Sequence, residues 1–161
     1  MQWSKLKKRV ERRFSPQVGK RVQVHFTTYR RPWLGKYGRG WVALDKEEIL
    51  TASEEQYGRG VMKHGGAAGD HYFKLEPILA SEGFFSESSF LRSLHESLSV
   101  GISDALESPN VLIRGIATLD SRVGQRRLST LTPENEHPFV ARLINLRLQA
   151  VSIKAKSEDA L

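Results

Sequence analysis

The sequence contains no cysteine. Disulfides, thiolate metal sites and cysteine nucleophiles are therefore excluded, and the chain suits a reducing, cytoplasmic compartment. Long apolar runs are missing too. Nothing approaches the roughly 18 consecutive apolar residues of a membrane-spanning helix. The basic start Met1–Val10 has no apolar stretch behind it, so neither a signal peptide nor a membrane partner is expected. The usual catalytic and nucleotide-binding motifs are absent as well. Where a phosphate loop needs Gly-Lys-Ser/Thr, the glycine-rich stretch Gly58–Asp70 offers His64-Gly65-Gly66-Ala67. No serine stands in Gly-x-Ser-x-Gly. The acidic pairs Glu47-Glu48 and Glu54-Glu55 are adjacent in sequence, so their side chains diverge, whereas a general acid and base must converge. His64, Asp70 and His71 have metal-binding chemistry, but their spacing matches no ligand pattern. No metal, no cofactor and no enzymatic activity are expected.

What is present is charge, and it is unevenly placed. Residues 1–40 hold twelve Lys/Arg against Glu11 alone, a local charge of +11. Residues 41–110 carry −7 and residues 111–161 carry +3. Either the anionic middle neutralises the cationic end across the fold, or that end faces an anionic partner.

The apolar pattern gives the fold class. Trp3, Leu6, Val10 and Phe14 share one helical face, and Pro16 and Gly19 end the segment. Arg21–Arg31 alternates, with Val22, Val24 and Phe26 on one side and Gln23, His25, Thr27 and Tyr29 on the other. Arg31–Gly35 reads as a loop, Arg39–Leu44 as a second strand and Glu48–Ala52 as a third. Neither Asp45 nor Lys46 favours positive φ, so a four-residue connection is expected between the last two strands. That register pairs Leu44 with Ile49 and sets Val42, Leu44, Ile49 and Thr51 on one face.

From Ser53 on, every periodic segment is helical. Ser86 is an N-cap with Phe85 and Phe90 at the staple positions. Ser108-Pro109 opens another helix, along which Leu112, Ile116, Leu119 and Val123 recur, and a last helix starts near Pro138 and buries Phe139, Leu143, Leu146 and Ala150. The reading is α+β: an N-terminal helix, a three-stranded antiparallel meander, and a helical C-terminal half on one face of the sheet. Val22, Val24, Phe26, Val42, Leu44 and Ile49 face the helices. Residues 1–151 form a single domain, with 152–161 a flexible tail.

The basic residues carry the candidate site. Lys5, Lys8, Arg9, Arg12 and Arg13 cover the face of the first helix opposite Trp3 and Leu6. Arg30 and Arg31 stand among His25, Tyr29, Trp33, Tyr37 and Trp41. Arg114, Thr118, Arg122 and Arg126 are spaced as one line on a helical face. Cations interleaved with aromatics suit phosphate backbones and stacked bases. Equally, a charge run is often just a solvated face.

Trp3–Glu11, Asp45–Ile49, Ile113–Leu128 and His137-Pro138-Phe139 together resemble a small bacterial protein family without assigned activity. The resemblance runs from Trp3 to about Leu148. It implies Ala where Gly115 stands, Arg where Ser121 stands and Lys where Gln125 stands, and it brings no functional residues. Two functions follow from the residues: first, a non-enzymatic module that binds an unknown protein partner; second, a sequence-nonspecific nucleic-acid-binding domain using the basic N-terminal region. Oligomeric state is not legible.

Overall fold

The computed structural model describes residues 2–31, 35–66 and 72–158. The helical spacing of Trp3, Leu6 and Val10 produces α1 (Trp3–Glu11). Leu6 and Val10 are buried, and Trp3 packs its ring on Phe26 at 5.6 Å. Phe14 stays buried but lies beyond the helix, in a single antiparallel bridge with Asp120.

The alternating segment forms β1 (Val22–Arg31), which pairs antiparallel with β2 (Gly35–Leu44), and β2 with β3 (Glu47–Ala52), in the order β1-β2-β3. Val22, Val24 and Val42 are fully buried, and Phe26, Leu44 and Ile49 pack half-buried on the same core. The expected meander and its inward face are therefore present.

Two expectations about the sheet need correction. The β2–β3 connection is a two-residue turn, with Asp45 at φ 50° and Lys46 at φ 73°. Arg21 offsets the local cost, because its guanidinium grips the Asp45 carboxylate at 2.9 and 2.6 Å while Asp45 N–H donates to the Arg21 carbonyl at 2.8 Å. The tight turn pairs Leu44 with Glu47 and Val42 with Leu50, with an irregularity between Val42 and Ala43. Leu50 and Ala52 thus reach the core in place of Thr51. β2 also begins earlier than expected, at Gly35, and Trp33 lies outside the described residues.

Ser53 caps α2 (Glu54–Lys63), which runs through Gly58 and Gly60. Gly60 is required there: a Cβ would lie 2.7 Å from the Phe84 ring. Asp70 and His71 lie outside the described residues, and α3 (Tyr72–Ser81) follows. Ser86 caps α4 (Glu87–Glu96) in a reciprocal box with Ser89, and Phe85 and Phe90 are both buried, as the staple positions required. Phe90 packs so closely that a Cβ on Gly40 of β2 would stand 2.4 Å from its ring.

After α5 (Ile102–Leu106), the cap of α6 (Val111–Leu119) is Asn110, two residues after Ser108. Its Oδ1 accepts from the Leu112 and Ile113 N–H groups, while Ser108 Oγ accepts from Asn110 N–H. α7 (Gln125–Leu128) and a 3-10 turn at Pro133–Asn135 lead to α8 (Pro138–Glu158). α8 begins where expected but continues past residue 151, so 152–158 are helical. It buries Phe139, Leu143 and Leu146. Among the described residues, no helix is long and apolar enough to cross a membrane.

Candidate functional site

The cationic N-terminal segment is not neutralised as a block. Asp45, Glu47, Glu48, Glu55, Glu76 and Glu82 pair with Arg21, Arg142, Arg39, Arg59, Arg92 and Lys63. None of those cations belongs to α1. Within α1, Lys7 pairs with Glu11 of the same helix. The side chains of Lys5, Lys8 and Arg12 are exposed and have no ion-pair partner among the described residues. Those six carboxylates of the anionic middle are taken up by cations of the sheet region, α2, α4 and α8, and the outer face of α1 stays positive.

The expected arginine line is broken. α6 ends at Leu119 because Asp120 turns extended, at φ −63° and ψ 133°, to bridge Phe14. Thr118 is buried. Arg114 turns to Glu136 at 3.0 Å and to the Ser108 carbonyl. Arg126 is exposed on α7, Arg30 is exposed near the end of β1, and the Arg31 side chain lies outside the described residues.

What the break creates is a cleft. Arg122 folds back on Asp120 through Nε at 2.9 Å and Nη2 at 2.7 Å. Arg13 extends the other way and donates to the Ser97 and Leu98 carbonyls, at 3.1 and 2.7 Å, just after α4. Ser121 N–H donates to the Arg13 carbonyl at 2.8 Å, tying the two walls together. Between them lies a cleft of about 480 Å³ lined by Arg9, Arg12, Arg13, Asp120, Ser121 and Arg122, with Leu98. Four arginines and one acidic residue line it, and of these Arg122 and Arg13 act on the Asp120 carboxylate. Burial works against the Asp120 anion, but the Arg122 side chain and N–H, with the charge of Arg13, hold its pKa below the usual carboxylate value. Asp120 is therefore ionised over the neutral range, its charge offset by Arg122 and Arg13.

Arg147 supports this arrangement, and no pattern in the sequence announces it. It is 3 % exposed on α8. Nε donates to the Thr118 carbonyl at 3.1 Å and Nη2 to the Val123 carbonyl at 2.9 Å, so the residues on either side of Asp120 are pinned.

A second surface is the sheet face opposite the core. Gln23, His25, Thr27 and Tyr29 alternate there with Tyr37, Arg39, Trp41 and Ala43 across the β1–β2 register, and only Ala43 is buried. His25 stacks on Trp41 at 4.8 Å and Tyr29 on Tyr37 at 5.4 Å, while Arg39 lies 5.0 Å from the Trp41 ring centre. Burial, with the nearby charge of Lys7, lowers the His25 pKa.

A third is a groove of about 760 Å³ beside the outer edge of β1, walled by Trp3, Leu6, Phe26, Glu87, Leu91 and His95, among others. His64, whose spacing to His71 matches no metal-ligand pattern, points to Glu82 at 3.1 Å.

A family match spans residues 2–148, from the residue before α1 into α8. The chain belongs to the SF0329 protein family. The matched stretch of this SF0329-family chain contains the arginine cleft, the open sheet face and the β1 groove. No curated protein matches the chain, and no solved structure does.

Proposed function

We propose that this SF0329-family protein is a non-enzymatic module that holds the phosphate backbone of nucleic acid, without sequence preference, in the cleft between α1 and the α6–α7 connection. The observation that carries the reading is a cleft lined by four arginines and a single acidic residue, with Arg12 exposed and the Arg13 and Arg122 guanidinium groups held in place. A guanidinium has five N–H donors. Arg13 uses two on carbonyls and Arg122 uses two on Asp120, so both groups are fixed in place with donors to spare. Fixed guanidinium forks lose little entropy on meeting a phosphate. Arg12, exposed beside them, adds a further cation, and Lys5 and Lys8 extend the positive surface along α1.

Fluorescence anisotropy with labelled oligonucleotides of unrelated sequence tests this. Arg12→Glu should weaken binding to every sequence alike, because backbone contacts carry no sequence information. No binding at micromolar protein in about 50 mM salt, where non-specific binders are visible, would refute it.

A protein partner is the second reading, favoured by the β1 groove. Val22 N–H donates to the Val18 carbonyl and Val24 N–H to Glu11 Oε1, so by strand alternation the Phe26 and Thr28 amides point outward along the same edge. Outward amides beside a partly apolar groove suit the addition of an extended peptide strand. Selection of a peptide consensus that Thr28→Pro no longer retains would favour this reading over the first.

A further inference from the structure

The open face of the sheet and the arginine cleft lie on either side of α1, and the helix connects them. Successive residues on a helix are turned by about 100°. Lys7 and Glu11 lie on the flank facing β1, where Glu11 bonds the Val24 amide and the Lys7 charge reaches His25. Arg9 and Arg13 lie on the opposite flank, in the cleft. Lys5, Lys8 and Arg12 cover the exposed surface between. A cationic path thus runs from the cleft, over α1, to the edge of an aromatic sheet face.

We infer that this face is a stacking platform for unpaired nucleobases, so that the ligand is single-stranded nucleic acid. The inference rests on the phosphate-binding reading and names its substrate class. Trp41 already has His25 against its ring and Arg39 beside it. Tyr29 differs. It is 43 % exposed, and Tyr37 backs its ring at 5.4 Å and 26°. A ring supported on one face and open to solvent loses little freedom when a base covers it. Four residues along β1, His25 stacks on Trp41 at 8°, about 13 Å away at the usual strand rise. Two stacked aromatic pairs at that separation give two places for bases. The Thr27 hydroxyl lies on the same face between the two pairs, while Thr51, beside Trp41, donates to Glu48.

Phosphate chemistry alone would not need this surface. A duplex keeps its base faces stacked inside and presents only backbone and groove edges, whereas a single strand can splay bases onto a sheet. Polar strand residues would satisfy a merely solvated face. Here four aromatic side chains stand on it as two cross-strand pairs beside the cationic helix.

The test compares one labelled oligonucleotide, single-stranded and as a duplex, binding the full chain in parent, Tyr29→Ala, Tyr29→Phe and Arg12→Glu forms. Thermal melts confirm that each variant folds. Loss of one base–aromatic stack corresponds to a roughly 5- to 150-fold change in affinity. Tyr29→Ala should weaken single-strand binding within that range and leave duplex binding unchanged. Tyr29→Phe should retain the parent affinity, and Arg12→Glu should weaken both ligands. If Tyr29→Ala binds both ligands like the parent, the platform is refuted while the phosphate reading stands. Equal weakening of both by Tyr29→Ala refutes it too. If neither ligand binds the parent, both readings fail together.

Discussion

Replacing Arg147 by Met removes the support beneath the arginine cleft while keeping a long side chain to fill the space. Two hydrogen bonds are lost, to the Thr118 and Val123 carbonyls at 3.1 and 2.9 Å. A buried backbone group left without a partner costs about 1–3 kcal/mol. The two together cost about 2–6 kcal/mol, and relief from desolvating the guanidinium offsets part of that. A net loss of about 3 kcal/mol follows, which for a chain of this size lowers Tm by about 6–12 °C. Urea denaturation with an unchanged slope would report it. Arg142→Met is the control on the same helix. Its ion pair with Glu47 is exposed, and losing it should cost no more than about 1 kcal/mol. If Arg147→Met is as stable as the parent, the claim that this side chain pins the α6–α7 connection is wrong.

Three further changes test the fold. Lys46→Gly should raise stability by about 1 kcal/mol in thermal melts, since Lys46 holds φ 73° where glycine pays no steric cost; a lower Tm would contradict the turn. Gly115→Ala should destabilise by about 1–3 kcal/mol in urea, because its Cβ would stand 2.3 Å from Phe139 Cε1, and Phe139→Leu should recover part of the loss. His137 caps α8 by accepting from Phe139 N–H at Nδ1, and burial keeps its pKa below the ordinary value of 6.5. Its contribution to stability is therefore complete above about pH 6.5 and is lost as the pH falls towards the lower folded value. His137→Ala should flatten the stability profile in that interval, and a profile identical to the parent would count against the cap.

The apolar periods of α1, β1, α4 and α8 were legible because burial sets them directly: Leu6 and Val10, Val22 and Val24, Phe90 and Leu94, and Phe139 and Leu143 all reach the core. The Asp45-Lys46 turn was not. Its positive φ angles are held by Arg21, a contact that local propensity does not encode. The end of α6 was hidden for a similar reason. Leu112, Ile116, Leu119 and Val123 keep helical spacing and are all buried, yet Val123 reaches the core from outside the helix. The chain leaves the helix to bridge Phe14, so Arg114 and Arg122 separate and Arg122 joins the α1 cations instead. Charge excess was visible in sequence; which carboxylates absorb it depends on side-chain distances that only the fold sets.

The most direct test of the central claim is the salt dependence of oligonucleotide binding. Each phosphate neutralised on a single strand contributes a slope of about −0.7 in log affinity against log salt. With three or four phosphates held by the cleft and α1, the parent slope should be about −2 to −3, and Arg12→Glu should make it shallower by about one phosphate. A slope near zero, or one that Arg12→Glu leaves unchanged, would contradict the claim that these cations hold a phosphate backbone.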